Sequence, residues 1–441
     1  MSSIRTTMRR MIAVAPALTL LLLSACVSLR GRAPLSPKAQ LRRTIDSLVA
    51  QREFRNAHFG LLIVNPKSAD TLYSRNAGKV FMPASNQKLI TSTVALAQLG
   101  PDFRFRTTFA TRGLVRDSVL DGDLIIIGRG DPTLSDRMLG QAEIGMRRIA
   151  DSIAARGIRR ITGRIMPGGN LFSDSIYAYG WELDDILDSG TPVDELFFNE
   201  GMVDVHRQIA GRDTIVQIGT RNPNRSYLDA LAAALTAKGI AFAGITDSAA
   251  DVTAPPTTLF ETFSVPLREI VPHFLKPSQN QIGEILLKTI GFERAGAGIA
   301  DSGVAVVKRQ LLAWGAEPDG FYTYDGSGLS RHDLVSPETL VRLLGNAERE
   351  PWFQIFYDAL PVAGVDGTLR SRMKGTPAAG NMHAKTGTIE FVRSLSGYVT
   401  DADGDRLIFS ILCNNFTIPV DSVTKMQDAI GVLLATYRAR R

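Results

Sequence analysis

The sequence predicts an α/β (α+β) protein in which helices flank one mixed sheet and a strand-rich region is inserted in mid-chain. Three observations predict it. Apolar runs of strand length and segments of helical period occupy both ends of the 441 residues. Between them the texture changes to short apolar runs separated by Gly, Asp and Pro turns. The composition, 44% hydrophobic and 21% charged, can bury a core and excludes a disordered or collagen-like chain. At roughly 150 residues per domain, the length allows about three domains.

In chain order, Arg5, Arg9 and Arg10 precede the apolar stretch from Met11 to Leu23, the anatomy of an export signal. As a helix that stretch rises only about 20 Å, short of the roughly 30 Å of bilayer hydrocarbon, so a permanent span is disfavoured. Leu23-Ser24-Ala25-Cys26 resembles a bacterial lipobox, in which cleavage leaves the cysteine as the lipidated first residue. A plain secretory signal with an incidental cysteine is the alternative. The expectation is a signal peptide over 1–25, lipid on Cys26, and a Ser, Arg, Gly and Pro-rich tether over 26–36. The protein would then be exported to the periplasm and anchored to the outer membrane, since Val27 rather than Asp follows the cysteine.

Leu41, Ile45, Leu48 and Val49 share a helical face, followed by a strand from Phe59 to Val64, a turn at Asn65-Pro66 and a short strand at Leu72-Tyr73. At the other end, strands from Phe391 to Val399 and Leu407 to Leu412 are joined by the Asp-Gly turn in Asp401 to Asp405. After Pro419, the residues Val420, Val423, Met426, Ile430, Leu433 and Leu434 recur at helical spacing. The two ends thus form halves of one sheet, 37–105 with 262–441, and 106–261 is the insertion. Cys413, in an apolar run, reads as a buried strand residue; with only Cys26 besides it, and that one lipidated, no intrachain disulfide is possible.

The formal charge of +6 is spread without a long basic run, which argues against nucleic-acid binding. The five histidines, His58, His206, His273, His332 and His383, lack zinc-ligand spacing, so no metal is expected. Gly128-Arg129-Gly130 fails as a dinucleotide fingerprint because Thr133 takes the third glycine's place, and no cofactor is implied.

Chemistry concentrates in three short segments. In Ser85-Asn86-Gln87-Lys88, at the start of an amphipathic helix, residues i and i+3 project from one face. A serine hydroxyl becomes a nucleophile when a base takes its proton, and a lysine neutralised by desolvation or a cationic neighbour is such a base. Taken alone, Ser85 could as well be a helix cap and Lys88 a solvated side chain. Ser278-Gln279-Asn280 stands at a second helix start, and Lys385-Thr386-Gly387 just before a strand. The ordered set S-x-x-K, S-x-N, K-T-G is far more specific than any member.

With these motifs the chain resembles the penicillin-binding proteins and serine β-lactamases. Its nearer resemblance is to the penicillin-binding protein 4 type D-alanyl-D-alanine carboxypeptidases and endopeptidases, peptidase family S13. Asp325-Gly326-Ser327-Gly328-Leu329-Ser330, the stretch from Leu360 to Leu369, and Gly128 to Thr133 match that family too. The interval from Ser85 to Ser278 is far longer than in simple β-lactamases, which the family explains by two inserted subdomains, one nested in the other. The insert's Trp181, Asp184 and Asn199 match a family pattern read here as architectural.

The resemblance implies Ser85 as nucleophile, Lys88 as base, Ser278 as proton conduit to the leaving amine and Asn280 as orienter of Lys88 and substrate. It implies that Lys385 and Thr386 bind the terminal carboxylate, that Gly387 clears the strand edge, and that the amides of Ser85 and Thr388 form the oxyanion hole. Gln279 departs from the family's usual Asp. The expected partners are peptidoglycan peptides, β-lactam antibiotics and, through lipid, a membrane. A β-lactamase or esterase on the same scaffold, or a non-hydrolytic β-lactam sensor, is the alternative.

Overall fold

The computed structural model describes residues 35–188, 190–209 and 212–439. The expected export signal, Cys26 and most of the expected tether lie outside the described residues.

Five antiparallel strands make the main sheet, in the order His383–Ile389, Val392–Thr400, Arg406–Asn414, His58–Asn65, Asp70–Arg75. The middle strand is buried from Leu407 to Asn414, so the sheet is covered on both faces, and its apolar run is continuous for that reason. Alternate residues enter different cores. Phe409, Ile411 and Cys413 pack with Leu41, Ile45 and Val49 of the helix Pro37–Val49 and with Val423, Met426, Ile430 and Leu434 of Val420–Ala435. Ile408, Leu412 and Leu62 face the other way, onto the helices Gln87–Leu99, Leu267–Leu275, Asn280–Ala295 and Pro337–Ala347. Burial raises the Cys413 thiol to about 12, leaving it an inert apolar filler.

Local chemistry starts and stops these elements. Ser36 caps Pro37–Val49 by accepting from the Ala39 amide, with proline next in the position that needs no donor. Gln279, the residue that departs from the family pattern, accepts from the Ile282 amide at 2.7 Å and so caps Asn280–Ala295.

Two expectations change. The helix Gln87–Leu99 is buried on every side from Gln87 to Leu96, since it lies at the centre of a helical layer and not on the surface; it is not amphipathic. Lys385-Thr386-Gly387 lies within the edge strand His383–Ile389, not ahead of a strand.

Between residues 106 and 263 a second five-stranded sheet forms, and its first and last strands, Arg106–Thr111 and Thr257–Phe263, pair with each other. The chain therefore leaves and re-enters the main body at adjacent points. A third core, from Phe109 to Phe260, fills this region with the helices Glu143–Ala155 and Pro223–Ala237. The segment around 172–197 behaves differently: Phe172, Val193 and Phe197 are buried in the main body's core beside Ile282 and Ile285.

Candidate functional site

The short turn Ala84–Asn86 carries Ser85 into the central helix and sits against the edge strand. Three contacts fix it there. Asn86 Nδ2 donates to the Lys385 carbonyl at 2.9 Å, and Ser394 Oγ donates to the Pro83 carbonyl at 2.6 Å. The third is Gly387: a Cβ there would lie 2.0 Å from Ser394 Oγ, 2.7 Å from the Pro83 oxygen and 3.0 Å from the Ser85 nitrogen. Only a residue without a side chain lets the strand edge come this close to the serine. Ala84, with φ of 47°, and Ser278, with φ of 67°, both hold left-handed conformations, a cost that the surrounding packing must offset.

The Lys88 side chain, wholly buried, donates to Ser85 Oγ at 2.9 Å, Asn280 Oδ1 at 2.7 Å and the Ser327 carbonyl at 2.8 Å. All three ammonium donors are satisfied, yet burial pulls its pKa down to about 7 against the opposing pull of Asp325, Glu284 and Asp333. Glu284 is itself raised to about 8 by burial and by Asp325, and Asp333 is raised well above the usual carboxylate range for the same reasons. Neutralised carboxyls stabilise a lysinium weakly, which keeps Lys88 within reach of the neutral form at physiological pH.

Lys385 Nζ donates to Ser278 Oγ and to the Thr386 carbonyl, both at 2.8 Å. Burial lowers its pKa well below the usual lysine value, and repulsion by Lys88 and Arg393 lowers it further. Thr386 Oγ1 donates to Thr368 Oγ1 at 2.7 Å, while Thr388 stands exposed farther along the same edge. Thus the three motifs, far apart in sequence, meet around Ser85 as two lysine-centred clusters, Ser85–Lys88–Asn280 and Lys385–Ser278.

Several participants are absent from the motif reading. Ser327, in the stretch from Asp325 to Ser330, supplies the carbonyl that holds Lys88. Asp325 organises that loop, accepting from the Ser327, Gly328 and Ser330 amides and from the Trp181 indole at 2.9 Å. Trp181 therefore links the inserted region to the loop beneath Lys88. Gly283 and Gly326 touch backbone to backbone, since a Cβ on Gly326 would lie 2.1 Å from the Gly283 oxygen. Asp184 lies in the short helix Leu183–Asp188, and Asn199 exchanges hydrogen bonds with Asp136. His383 stacks on Tyr357, ring centres 4.0 Å apart, and belongs to packing. Among the described residues no group of His, Cys, Asp and Glu could hold a metal ion.

Comparison with known proteins identifies the family and the fold. The chain matches the D-Ala-D-Ala carboxypeptidase 3 (S13) family over residues 41–221 and 209–437. It is 33% identical over 470 residues to a D-alanyl-D-alanine carboxypeptidase of Actinomadura sp. (strain R39), covering 90% of this chain and 85% of that one. It is 24% identical over 437 residues to the D-alanyl-D-alanine carboxypeptidase DacB of Haemophilus influenzae, covering 86% of this chain and 90% of that one. In fold it is similar to the crystal structure of penicillin binding protein 4 from Haemophilus influenzae, with a TM-score of 0.76 at 22% identity, over 89% of this chain and 99% of that one. Matched by the family model along nearly its whole length, and a third identical to a carboxypeptidase over 90% of it, the chain belongs to the D-Ala-D-Ala carboxypeptidase 3 (S13) family.

Proposed function

We propose that the chain is a serine-type D-Ala-D-Ala carboxypeptidase and endopeptidase acting on peptidoglycan peptides through an acyl-enzyme on Ser85, the serine that β-lactams also acylate. The observation that carries the reading is Lys88 Nζ at 2.9 Å from Ser85 Oγ with its pKa brought down to about 7. Neutral Lys88 takes the hydroxyl proton as Ser85 attacks the penultimate D-alanine carbonyl. The amides of Ser85 and Thr388, the latter on the open edge of the sheet, would hold the oxyanion. Asn280 orients Lys88 and the substrate backbone. Ser278 Oγ passes a proton toward the departing amine, the C–N bond breaks, and water then hydrolyses the acyl-enzyme. Lys385 and Thr386 receive the terminal carboxylate, whose negative charge restores the protonated form of a lysine that burial otherwise disfavours.

The catalytic domain is 37–105 with 262–441, and 106–261 is the insertion. Its separate core and its paired first and last strands support that division. The burial of Phe172, Val193 and Phe197 in the main core makes it a supporting part of the site's foundation.

The test is D-alanine release from a muramyl pentapeptide. Because the base must be neutral, the rate should climb with pH through about 7 and level off above it. Rapid turnover of penicillin with no D-alanine released would instead favour a β-lactamase, and stable acylation without peptide cleavage a sensor.

No helix among the described residues is long and apolar enough to cross a membrane. We read the protein as exported and held at the outer membrane by lipid on Cys26, on the strength of the Leu23-Ser24-Ala25-Cys26 signal. Mass spectrometry of the mature protein should find lipidated Cys26 at its amino terminus, and the protein should stay with membranes in high salt. An unmodified residue downstream of Cys26 at that terminus would reject the anchor.

A further inference from the structure

A groove of about 620 Å³ opens beside the Lys385–Ser278 cluster. It begins next to the motif residues, since Pro277, which precedes Ser278, and Thr368 line it, and Thr368 Oγ1 accepts from Thr386. Its wall is fixed: the Thr368 amide donates to the Lys276 carbonyl at 3.1 Å, and Lys276 Nζ binds Asp366 at 2.6 Å and the Leu360 carbonyl at 3.0 Å. Lys276, Arg370 and, from the inserted region, Arg137 make the lining cationic, and no carboxylate is among the lining residues. Arg137 is engaged by Glu200 and Lys276 by Asp366. The Arg370 guanidinium is exposed and has no ion-pair partner among the described residues.

Size and position restrict what this groove can take. Sites of roughly 300–1,000 Å³ hold ligands many times larger than one amino acid, so released D-alanine leaves most of the space unused. The groove continues outward from the place where the scissile bond's carboxylate side is held, which is the leaving-group side. In a cross-link the leaving group is a second stem peptide, which carries carboxylates of its own.

We propose that this groove receives the amine-side strand of a cross-link, an anionic stem peptide, and that Arg370 holds one of its carboxylates. The assignment rests on the peptidase reading above and explains how one serine serves a short and a long leaving group. A pentapeptide fills only the Lys385–Thr386 end, whereas a cross-linked dimer also occupies the groove.

The test compares a monomeric pentapeptide with a cross-linked muropeptide dimer on the full mature protein. Arg370→Glu should raise KM for the dimer about fivefold with kcat held, and leave the pentapeptide and the rate of labelling by fluorescent penicillin near wild type. Amidating the carboxylates of the dimer's amine-side stem, except the one next to the scissile bond that Lys385 and Thr386 receive, should raise the wild-type KM similarly and remove the difference between wild type and variant. Equal KM changes for both substrates, or none for the dimer, would overturn the assignment. Calorimetry on Ser85→Ala protein needs no turnover: dimer binding weakened by adding Arg370→Glu supports the groove even if the peptidase reading fails, and unchanged binding refutes it.

Discussion

Ser85→Ala protein will show no penicilloyl adduct in its intact mass, a loss on the order of 10⁵-fold or more in acylation, and will unfold at nearly the wild-type temperature. Ser85 is half-buried and, among the described residues, its hydroxyl has Lys88 as its side-chain partner, so removing it forfeits a single hydrogen bond of about 1 kcal/mol. Lys88→Arg will fall too, by between about 10² and 10⁴-fold, because guanidinium does not give up its proton and its planar fork does not fit three acceptors gathered round one ammonium. A penicilloyl group found on Ser278, Ser327 or any residue other than Ser85 would overturn the mechanism.

Gly387→Ala should also slow acylation strongly, because one methyl group meets the backbone that carries Ser85. Ser394 can rotate away, but the Pro83 oxygen at 2.7 Å cannot, so the strand and the Ala84–Asn86 turn must separate. Displacing Ser85 from the edge strand by even an ångström costs about 10²-fold in rate. The second-order rate constant for acylation by a fluorescent penicillin is the measurement. Adding Ser394→Ala should recover little of it, since the backbone clash remains. A Gly387→Ala enzyme within about threefold of wild type would show that the close approach is not required for acylation.

How far these features were legible in the sequence follows from which contacts are local. The strands and helices at the two ends announce themselves by period, because each buries a face or an unbroken apolar run. Ser85 and Lys88 are legible because one helical turn joins them. The central helix misleads: Thr91, Ser92 and Thr93 give it a polar stripe, but their hydroxyls bond carbonyls, those of Lys88, Leu89 and Gly326 among them, so the stripe is buried. The carboxyls beneath Lys88 are invisible to any spacing rule. Glu284 comes from one helix, Asp325 and Asp333 from a later loop, and only the tertiary fold brings them together. Lys276 and Arg370 carry no sequence signal either; the Gly367–Leu369 turn sets them near the K-T-G strand.

The pairing of His58–Asn65 with Arg406–Asn414 has a consequence for biogenesis. Strands from opposite ends of the polypeptide are neighbours, so the sheet cannot close until the stretch ending at Asn414 has emerged from the ribosome or translocon. Contacts of such long sequence separation are slow to form because a large loop must be closed first. Ser85 is made early, but the K-T-G strand that completes its surroundings is attached to the sheet's last-made half. A nascent or prematurely terminated chain therefore carries Ser85 without the strand that completes its surroundings. Reactivity toward penicillin should accordingly be a property of finished molecules only, which makes a labelled penicillin a reporter of completed folding.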